Sequence, residues 1–311
     1  MAGRIGKEGA QTAVKSPPLL AAFAELFFPQ SCVLCGRENP FVLCDACFDQ
    51  VFVPPDEICL RCGRLKRSGW PGPDCAECHD ETYGFIRARS LYPYEGAARN
   101  LFLASKFTVS KRKLNYRLSS AAVQKRIAGK DSAEFFNSKG LAFDFAVEVP
   151  VFRPRWSALA RLPMFSPPPN DEKKRKGGNT RSFNTAAVFA FYAAQSLKVP
   201  YLSGVLRKIS DIPSQVGLSH TARRANVKGA FDVPSWYARR VKGATVLLCD
   251  DLITTGSTAS ECSRALKRAG AKSVYLLTLF STTKRPETPD AQLPDWYGPD
   301  DLEIPAPIEF D

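Results

Sequence analysis

The sequence lacks a hydrophobic run long enough to cross a membrane, which would take about 20 apolar residues. The best candidate, residues 19–28, is interrupted by Glu25 and has no small-residue cleavage site. We interpret it as a short helix, and we expect a cytoplasmic protein with neither export signal nor membrane anchor. Because the cytoplasm is reducing, we expect the ten cysteines to be thiols or metal ligands and not disulfides.

Basic side chains are absent from one end of the chain. Residues 286–311 contain eight acids and six prolines but no lysine or arginine. The first 285 residues therefore carry all 43 basic side chains and only 23 of the 31 acidic ones. A tail of this composition cannot bury a core, so we expect it to be extended. Two interpretations stay open for it, a solvating tail or a mimic that competes with a polyanion for the basic body.

Eight of the ten cysteines form four Cys-x-x-Cys pairs in the first quarter of the chain. Each pair presents two thiolates to one tetrahedral ion, so four pairs predict two structural zinc sites. A redox dithiol would need a thioredoxin-like βαβ pattern, which the sequence does not show. Sequential pairing is the simpler arrangement, and interleaved pairing stays open. The candidate zinc ligands are Cys32, Cys35, Cys44, Cys47, Cys59, Cys62, Cys75 and Cys78.

The remaining cysteines and the scarce histidines are not expected to bind metal. Cys249 and Cys262 lie in an expected strand and an expected helix, and we interpret both as small core side chains. His79 is one of only two histidines, and we place it on the surface because four cysteines already complete each site. A site closed by four thiolates has no open position for water, so the module is structural or a binding platform.

Residues 246–258 combine a strand, two acids and a small polar loop. Val246 to Cys249 is an apolar run typical of a buried parallel strand, and Asp250 and Asp251 follow at its carboxyl end. The hydroxyl-rich loop then opens a helix, where converging N–H groups bind phosphate well. The alternative is a segment without a ligand site, in which an ordinary strand is followed by a helix that Thr258 caps.

This segment resembles the PRPP-binding motif of the type I phosphoribosyltransferases, where PRPP is phosphoribosyl pyrophosphate. The resemblance implies that Asp250 and Asp251 hold the ribose hydroxyls and form the catalytic pair. It also implies that the 5′-phosphate lies in the loop formed by Thr254, Thr255, Gly256, Ser257 and Thr258. Phosphoribosyl transfer would further need Mg²⁺ on the ligand oxygens and a cation near the leaving group.

Helices and strands alternate elsewhere, in the order of a parallel α/β sheet. We predict helices over 95–107 and 185–197 and strands over 143–151 and 274–280. The fold class is therefore α/β, with the phosphoribosyltransferase parallel sheet flanked by helices and preceded by a small four-cysteine zinc-ribbon module. The predicted divisions are an N-terminal segment 1–28, a double zinc ribbon 29–86, a phosphoribosyltransferase-like domain 87–285 with a basic loop 155–178, and the acidic tail 286–311.

The four cysteine pairs and the PRPP motif together resemble the ComF family of competence proteins, over about residues 28–284. The segments that carry the likeness beyond the two motifs are 94–96, 106–107, 149–151, 181–185, 214–219 and 223–231. Residues 152–155, Ser182, Thr185, Ser210 and Ile212 depart from the family pattern. These departures concern the handling of pyrophosphate and leave the phosphate and ribose positions intact. The candidate pyrophosphate ligands are Arg153, Arg155, Arg207 and Lys208, each of which could instead be a solvated surface charge.

The resemblance implies a protein that binds PRPP or a related phosphoribosyl ligand with Mg²⁺ and engages single-stranded DNA during natural transformation, alongside other competence proteins. The basic runs 111–113, 173–176, 223–224 and 239–240 could follow a phosphate backbone, with Phe107, Tyr116, Trp156 and Tyr237 near enough to stack on bases. The alternative is an active phosphoribosyltransferase of nucleotide or cofactor metabolism. Glutamine-dependent chemistry is not expected, because the first residues, Met1 to Arg4, contain no nucleophilic cysteine.

Overall fold

The computed structural model describes residues 30–55, 57–66, 74–75, 78, 81–107, 112–151, 184–209 and 227–282. The predictions for residues 1–28, for the basic loop 155–178 and for the tail 286–311 lie outside these residues, as do those for His79, Arg153 and Arg155. Most of the basic runs lie outside them as well. Within the described residues, no helix has the length and apolar character needed to span a membrane.

The described strands and helices alternate along most of the chain. The strands are β1 (Gln30–Ser31), β2 (Glu38–Asn39), β3 (Ala88–Pro93), β4 (Phe145–Glu148), β5 (Arg207–Lys208), β6 (Phe231–Asp232), β7 (Thr245–Ile253) and β8 (Ser273–Ser281). The helices are α1 (Asp45–Val51), α2 (Gly96–Phe107), α3 (Arg112–Arg126), α4 (Ser132–Phe135), α5 (Thr185–Ser196), α6 (Ala238–Val241) and α7 (Ser257–Arg268). A 3₁₀ turn, Ser235–Tyr237, precedes α6.

A four-stranded parallel sheet forms the centre, in the order β3-β8-β7-β4. Side chains of a strand alternate between its two faces, and β7 shows this directly. Leu247 and Cys249 belong to an apolar cluster with residues of α2, α3 and α5, whereas Val246 and Leu248 belong to a second cluster with residues of α7. Helices therefore cover both faces, which confirms the predicted α/β class.

The predicted elements that fall within the described residues are all present, with two main differences in length. β4 is shorter than the predicted strand 143–151, and β7 continues past Cys249 through both acids to Ile253. The extension has a physical cause, because β8 still pairs with this stretch, matching Asp250 to Thr278 and Ile253 to Ser281. The pairing with β4 ends at Cys249, so the acids lie at the carboxyl edge of the sheet.

The first cysteine group is built into the central core. Cys32, Cys44 and Cys47 belong to the same apolar cluster as residues of β3 and α2. From α1, the ring of Phe48 packs edge-on against Tyr92 of β3, with 5.8 Å between ring centroids. Phe52 follows α1, and its ring centroid lies 6.0 Å from that of Phe280 in β8. This part of the zinc ribbon therefore shares its apolar packing with the sheet.

Candidate functional site

Asp251 is held by side chains from two helices. Its Oδ2 lies 2.8 Å from Nζ of Lys106, at the end of α2, and the Thr185 hydroxyl, at the start of α5, donates to the same oxygen. The Lys106 and Asp251 side chains are only 11% and 13% exposed, so this ion pair is largely shielded from water. Side chains of α2 and α5 therefore hold the Asp251 carboxylate in one orientation.

Asp250 has a different local environment. Its Oδ1 accepts a hydrogen bond of 2.8 Å from the backbone N–H of Asp251. Both acids are half-buried, and they occupy consecutive positions of β7. Because consecutive strand residues point to opposite faces, the two carboxylates approach a ligand at the strand edge from different sides. The pair is thus chemically asymmetric, with Asp251 engaged by a lysine.

The loop after β7 has the shape of an anion cradle. Gly256 adopts a left-handed conformation with φ of 78°, and α7 begins at the next residue. A Cβ atom at Gly256 would lie 3.0 Å from Cε1 of Tyr83, so a side chain there would be crowded as well as strained. The hydroxyls of Thr255 and Ser257 are 2.9 Å apart, and the first turn of α7 contains no acidic residue. Hydroxyls and helix N–H groups at such a terminus suit a phosphate.

A cavity of about 500 Å³ opens beside this loop. Its lining includes Thr255 and Ser257 of the loop, Tyr83 of the segment after the second cysteine group, and Lys228. Helix α7 forms another wall, where the buried carboxylate of Glu261 pairs with Arg268 at 3.1 Å. The loop hydroxyls therefore face a space large enough for a small ligand.

The four cation candidates for pyrophosphate are not brought together in the part of the chain that the structure describes, because Arg153 and Arg155 lie outside it. Arg207 lies in the two-stranded antiparallel sheet of β5 and β6, with its guanidinium over the Trp236 ring at 4.3 Å from the centroid. Lys208 pairs with Phe231 in the same sheet. A cation that the structure places against Asp251 is Lys106, which the sequence did not identify as a site residue. Its one signal was its position in a segment, 106–107, that resembles the ComF family.

Glu148 is a second site neighbour that the sequence did not reveal. It is the last residue of β4, pairs with Cys249 in the sheet, and is 7% exposed. Its Oε1 accepts hydrogen bonds from the Ser203 hydroxyl at 3.0 Å and the Gly204 N–H at 3.2 Å. Burial raises the pKa of this carboxyl, and these hydrogen bonds only partly oppose the shift. A buried acid thus lies on the strand next to β7, paired with the residue that precedes the acid pair.

Replacing Glu148 by glutamine should change how stability depends on pH. A folded-state pKa above the unfolded value means that the unfolded chain loses this proton first, so the carboxyl costs stability as pH rises through that window. Glutamine retains an acceptor for Ser203 and Gly204 without the ionisation. In urea titrations, the unfolding free energy of Glu148→Gln should therefore rise relative to that of the wild type as the pH increases above the ordinary pKa of a glutamate. Parallel pH profiles for the two proteins would contradict this role of Glu148.

The eight candidate zinc ligands form two groups, each with its four sulfur atoms within 4.8 Å of one another. One group joins Cys32, Cys35, Cys44 and Cys47, and the other joins Cys59, Cys62, Cys75 and Cys78. Sulfur separations of 3.9 Å for Cys35 and Cys44 and 3.5 Å for Cys62 and Cys75 are near the ~3.8 Å expected around tetrahedral zinc. The structure therefore groups the pairs sequentially, and four sulfur donors fit Zn²⁺ at each site.

Backbone N–H groups support this assignment. Cys47 N–H points at Sγ of Cys44 at 3.5 Å, and Cys75 N–H points at Sγ of Cys59 at 3.2 Å. Such N–H···S contacts stabilise metal-bound thiolates. The other two cysteines, Cys249 and Cys262, are fully buried outside both groups, and burial raises the pKa of each thiol well above its usual value. Their interpretation as core side chains is confirmed.

Family models match the two halves of this architecture. The double zinc ribbon domain matches residues 23–80, and the phosphoribosyl transferase domain matches residues 184–301. Among solved structures, the glutamine phosphoribosylpyrophosphate (PRPP) amidotransferase from B. subtilis, complexed with ADP and GMP, aligns with 56% of this chain and 30% of its own, at 15% identity and a TM-score of 0.30.

Two curated relatives cover different shares of the chain. Competence protein F of Haemophilus influenzae is 32% identical over 96 residues, which is 31% of this chain and 42% of that protein. The chain thus matches less than half the length of this relative. The DNA utilization protein YhgH of Salmonella typhi is 26% identical over 229 residues, covering 72% of this chain and 84% of that protein.

The parallel sheet and the two cysteine groups define a phosphoribosyltransferase-fold protein with a double zinc ribbon. Together with the two curated relatives, the family models support the resemblance to the ComF family that the sequence motifs indicate.

Proposed function

We propose that this protein binds PRPP with Mg²⁺, engages single-stranded DNA, and serves in the use of incoming DNA. The observation that carries the first part is the placement of Asp250 and Asp251 at the carboxyl edge of β7, directly before a glycine loop that opens α7. Ligands of open α/β sheets bind at this edge. The carboxylates accept the two ribose hydroxyls, and the loop amides and hydroxyls hold the 5′-phosphate.

The charges of the described residues are consistent with such a ligand. Thr254, Thr255, Gly256, Ser257 and Thr258 contain no acid, so an anion at the loop meets no like charge from it. Carboxylate oxygens are also ligands that Mg²⁺ prefers, and the ribose and pyrophosphate oxygens would complete its coordination. In this proposal Lys106 joins the candidates Arg153, Arg155, Arg207 and Lys208 as a cation close to the pyrophosphate.

The β5–β6 sheet and the turn after β6 supply a surface for single-stranded DNA. Trp236 is 62% exposed and Ile209 is 60% exposed, and the Arg207 guanidinium lies over the Trp236 ring. Arg239 and Arg240 follow in α6. Across the described stretches 203–209 and 227–244 there are six basic side chains and one acid, Asp232. Exposed aromatic rings among cations bind bases by stacking and the backbone by charge.

The names of the two relatives support the wider role. One is a competence protein and the other a DNA utilization protein, so both point to the handling of DNA. A PRPP site in such a protein would link DNA use to the supply of nucleotide precursors. The assignment is tested by calorimetric titration with PRPP and Mg²⁺ and then with an oligonucleotide. If neither ligand binds, the proposal fails. If PRPP is converted with a defined acceptor and no DNA is bound, the protein is instead a phosphoribosyltransferase of metabolism.

Replacing Trp236 by alanine should weaken single-stranded DNA binding by about 5- to 100-fold, the loss expected for one stacked base. PRPP binding should stay unchanged, because Trp236 lies in the 3₁₀ turn Ser235–Tyr237 and not in the strand or loop proposed to hold PRPP. Fluorescence anisotropy with a labelled oligonucleotide measures the effect.

Phe41→Ala is the matched control for this experiment. Phe41 is another exposed aromatic residue, at 44%, and Arg117 lies over its ring at 4.1 Å, but it belongs to the zinc ribbon. Equal losses for the two variants would show that the β5–β6 surface has no special part in DNA binding.

A further inference from the structure

Arg64 connects the second cysteine group to the phosphate loop. It follows Cys62 by two positions and is 3% exposed. Its Nε donates to Sγ of Cys62 at 3.4 Å, and its Nη1 donates to the backbone carbonyl of Thr254 at 3.3 Å. Its Nη2 donates to the Tyr83 hydroxyl at 3.4 Å. One buried guanidinium thus joins a zinc ligand, the first residue of the loop and the ring that packs over Gly256.

The surrounding backbone fixes this part of the zinc ribbon against the sheet and α7. Gly63 has φ of 74°, and a Cβ atom there would lie 2.9 Å from Cβ of Ala88 in β3. Gly84 N–H donates to the Ser260 hydroxyl of α7 at 2.9 Å. The Cys62 turn and the loop are therefore held at a constant separation that Arg64 spans.

The charges of the contacting groups explain why an arginine occupies this position. Four thiolates outweigh the charge of one zinc ion, so the occupied group is an anionic site in the interior. Arginine suits this place because its planar fork donates to several acceptors at fixed angles and keeps its charge when buried. The carbonyl of Thr254 precedes the loop amides, so fixing this carbonyl orients the N–H groups that follow.

We propose that Arg64 is a positioning residue through which zinc at Cys59, Cys62, Cys75 and Cys78 orders the phosphate loop. With zinc bound, the Cys62 thiolate holds the guanidinium, and the guanidinium holds the Thr254 carbonyl. When this zinc is lost, the turn that carries Arg64 loses its shape, and the loop loses its link to the ribbon. The inference rests on the proposed function in one respect, since the anion in the loop is taken to be the PRPP phosphate.

The test uses the full-length zinc protein with Arg64→Gln and Arg64→Lys. Both variants should keep two zinc ions per chain, because all eight cysteines remain. Hydrogen exchange in residues 254–258 should quicken about tenfold or more in the absence of any ligand, and PRPP affinity should fall by a similar factor, as expected for losing a hydrogen bond from a charged donor. Lysine should not rescue either effect, since one ammonium cannot reproduce the fork.

Arg61→Gln is the matched control. Arg61 belongs to the same Cys-x-x-Cys turn, but its guanidinium donates to the carbonyl of Glu81 and lies 3.8 Å from Asp74. It should leave loop exchange unchanged. The proposal is overturned if the Arg64 variants match the wild type in loop exchange, or if they lose zinc, which would place the role of Arg64 in the cluster itself.

A double variant distinguishes the proposed coupling through Arg64 from a general increase in mobility after the loss of zinc. Cys75→Ser should raise loop exchange, and adding Arg64→Gln should raise it little further, because both changes break the same link. Additive effects would contradict the coupling. The exchange measurement needs no PRPP. A wild type that fails to bind PRPP therefore overturns the proposed function, whereas the exchange rates still decide the proposal for Arg64.

Discussion

Replacing Asp250 and Asp251 together by alanine should abolish measurable PRPP binding in the presence of Mg²⁺. Two charge-assisted hydrogen bonds to the ribose would be lost, which costs about 3–6 kcal/mol, or a hundredfold or more in affinity. Isothermal titration calorimetry measures the affinity, and circular dichroism checks that the α/β fold is retained. Unchanged affinity in a folded double variant would remove these acids from the ligand site.

The single variants should differ, because the structure gives the two acids different neighbours. Asp251→Ala removes the carboxylate that Lys106 contacts at 2.8 Å, and leaves the ammonium in a site where its side chain is only 11% exposed. This variant should lose stability as well as affinity, by about 1–3 kcal/mol. Asp250→Ala should lower affinity by removing the other proposed ribose acceptor. Asp232→Ala, an exposed acid of β6, is the control for the change in net charge.

Purified protein should contain two zinc ions per chain, and loss of a ligand should have very different effects in the two groups. Structural zinc contributes about 10–16 kcal/mol of apparent binding free energy that is also folding free energy. Cys47→Ser should therefore unfold much of the chain, because Cys47 lies in the same apolar cluster as Phe102 and Leu277. Cys75→Ser should remove one zinc and leave the sheet folded, since its group forms a separate cluster that Tyr83 borders.

Cys262→Ala is the control for cysteine loss at a buried position. Cys262 is fully buried in α7 but belongs to neither group, so this variant should keep both zinc ions. Metal analysis by mass spectrometry and thermal unfolding measure the two effects. A wild-type protein without zinc, or a Cys47→Ser variant as stable as the wild type, would contradict the assignment.

The sequence predicted the parts of the site that are local. Asp250, Asp251 and Gly256 lie within seven positions of one another, so strand, acids and loop could be recognised as one pattern. The pattern also gave the right class of fold, because the apolar runs and helices alternate along the chain. Whether these acids and loop residues bind PRPP stays a prediction, as do the three boundaries between the predicted segments.

The contacts that complete the site are non-local, and no sequence pattern reveals them. Lys106 and Asp251 are 145 positions apart, and Arg64 and Thr254 are 190 positions apart. Each pair meets only because the sheet brings the ends of β7 and α2, or the zinc ribbon and α7, to the same place. The pairing of cysteines was open for the same reason, since spacing alone allows sequential and interleaved groups.

The position of β8 in the sheet decides when the protein can fold during its synthesis. β8 lies between β3 and β7, yet it is the last of the described strands to leave the ribosome. Until residues 273–281 are made, β3 and β7 have no common partner, and Phe52 beside the first cysteine group lacks Phe280 to pack against. Zinc can bind the N-terminal cysteines during this period, but the aromatic side chains around them stay exposed to other nascent chains. Slow translation between β3 and β8 would therefore lengthen the period in which these partners of β8 stay unpaired.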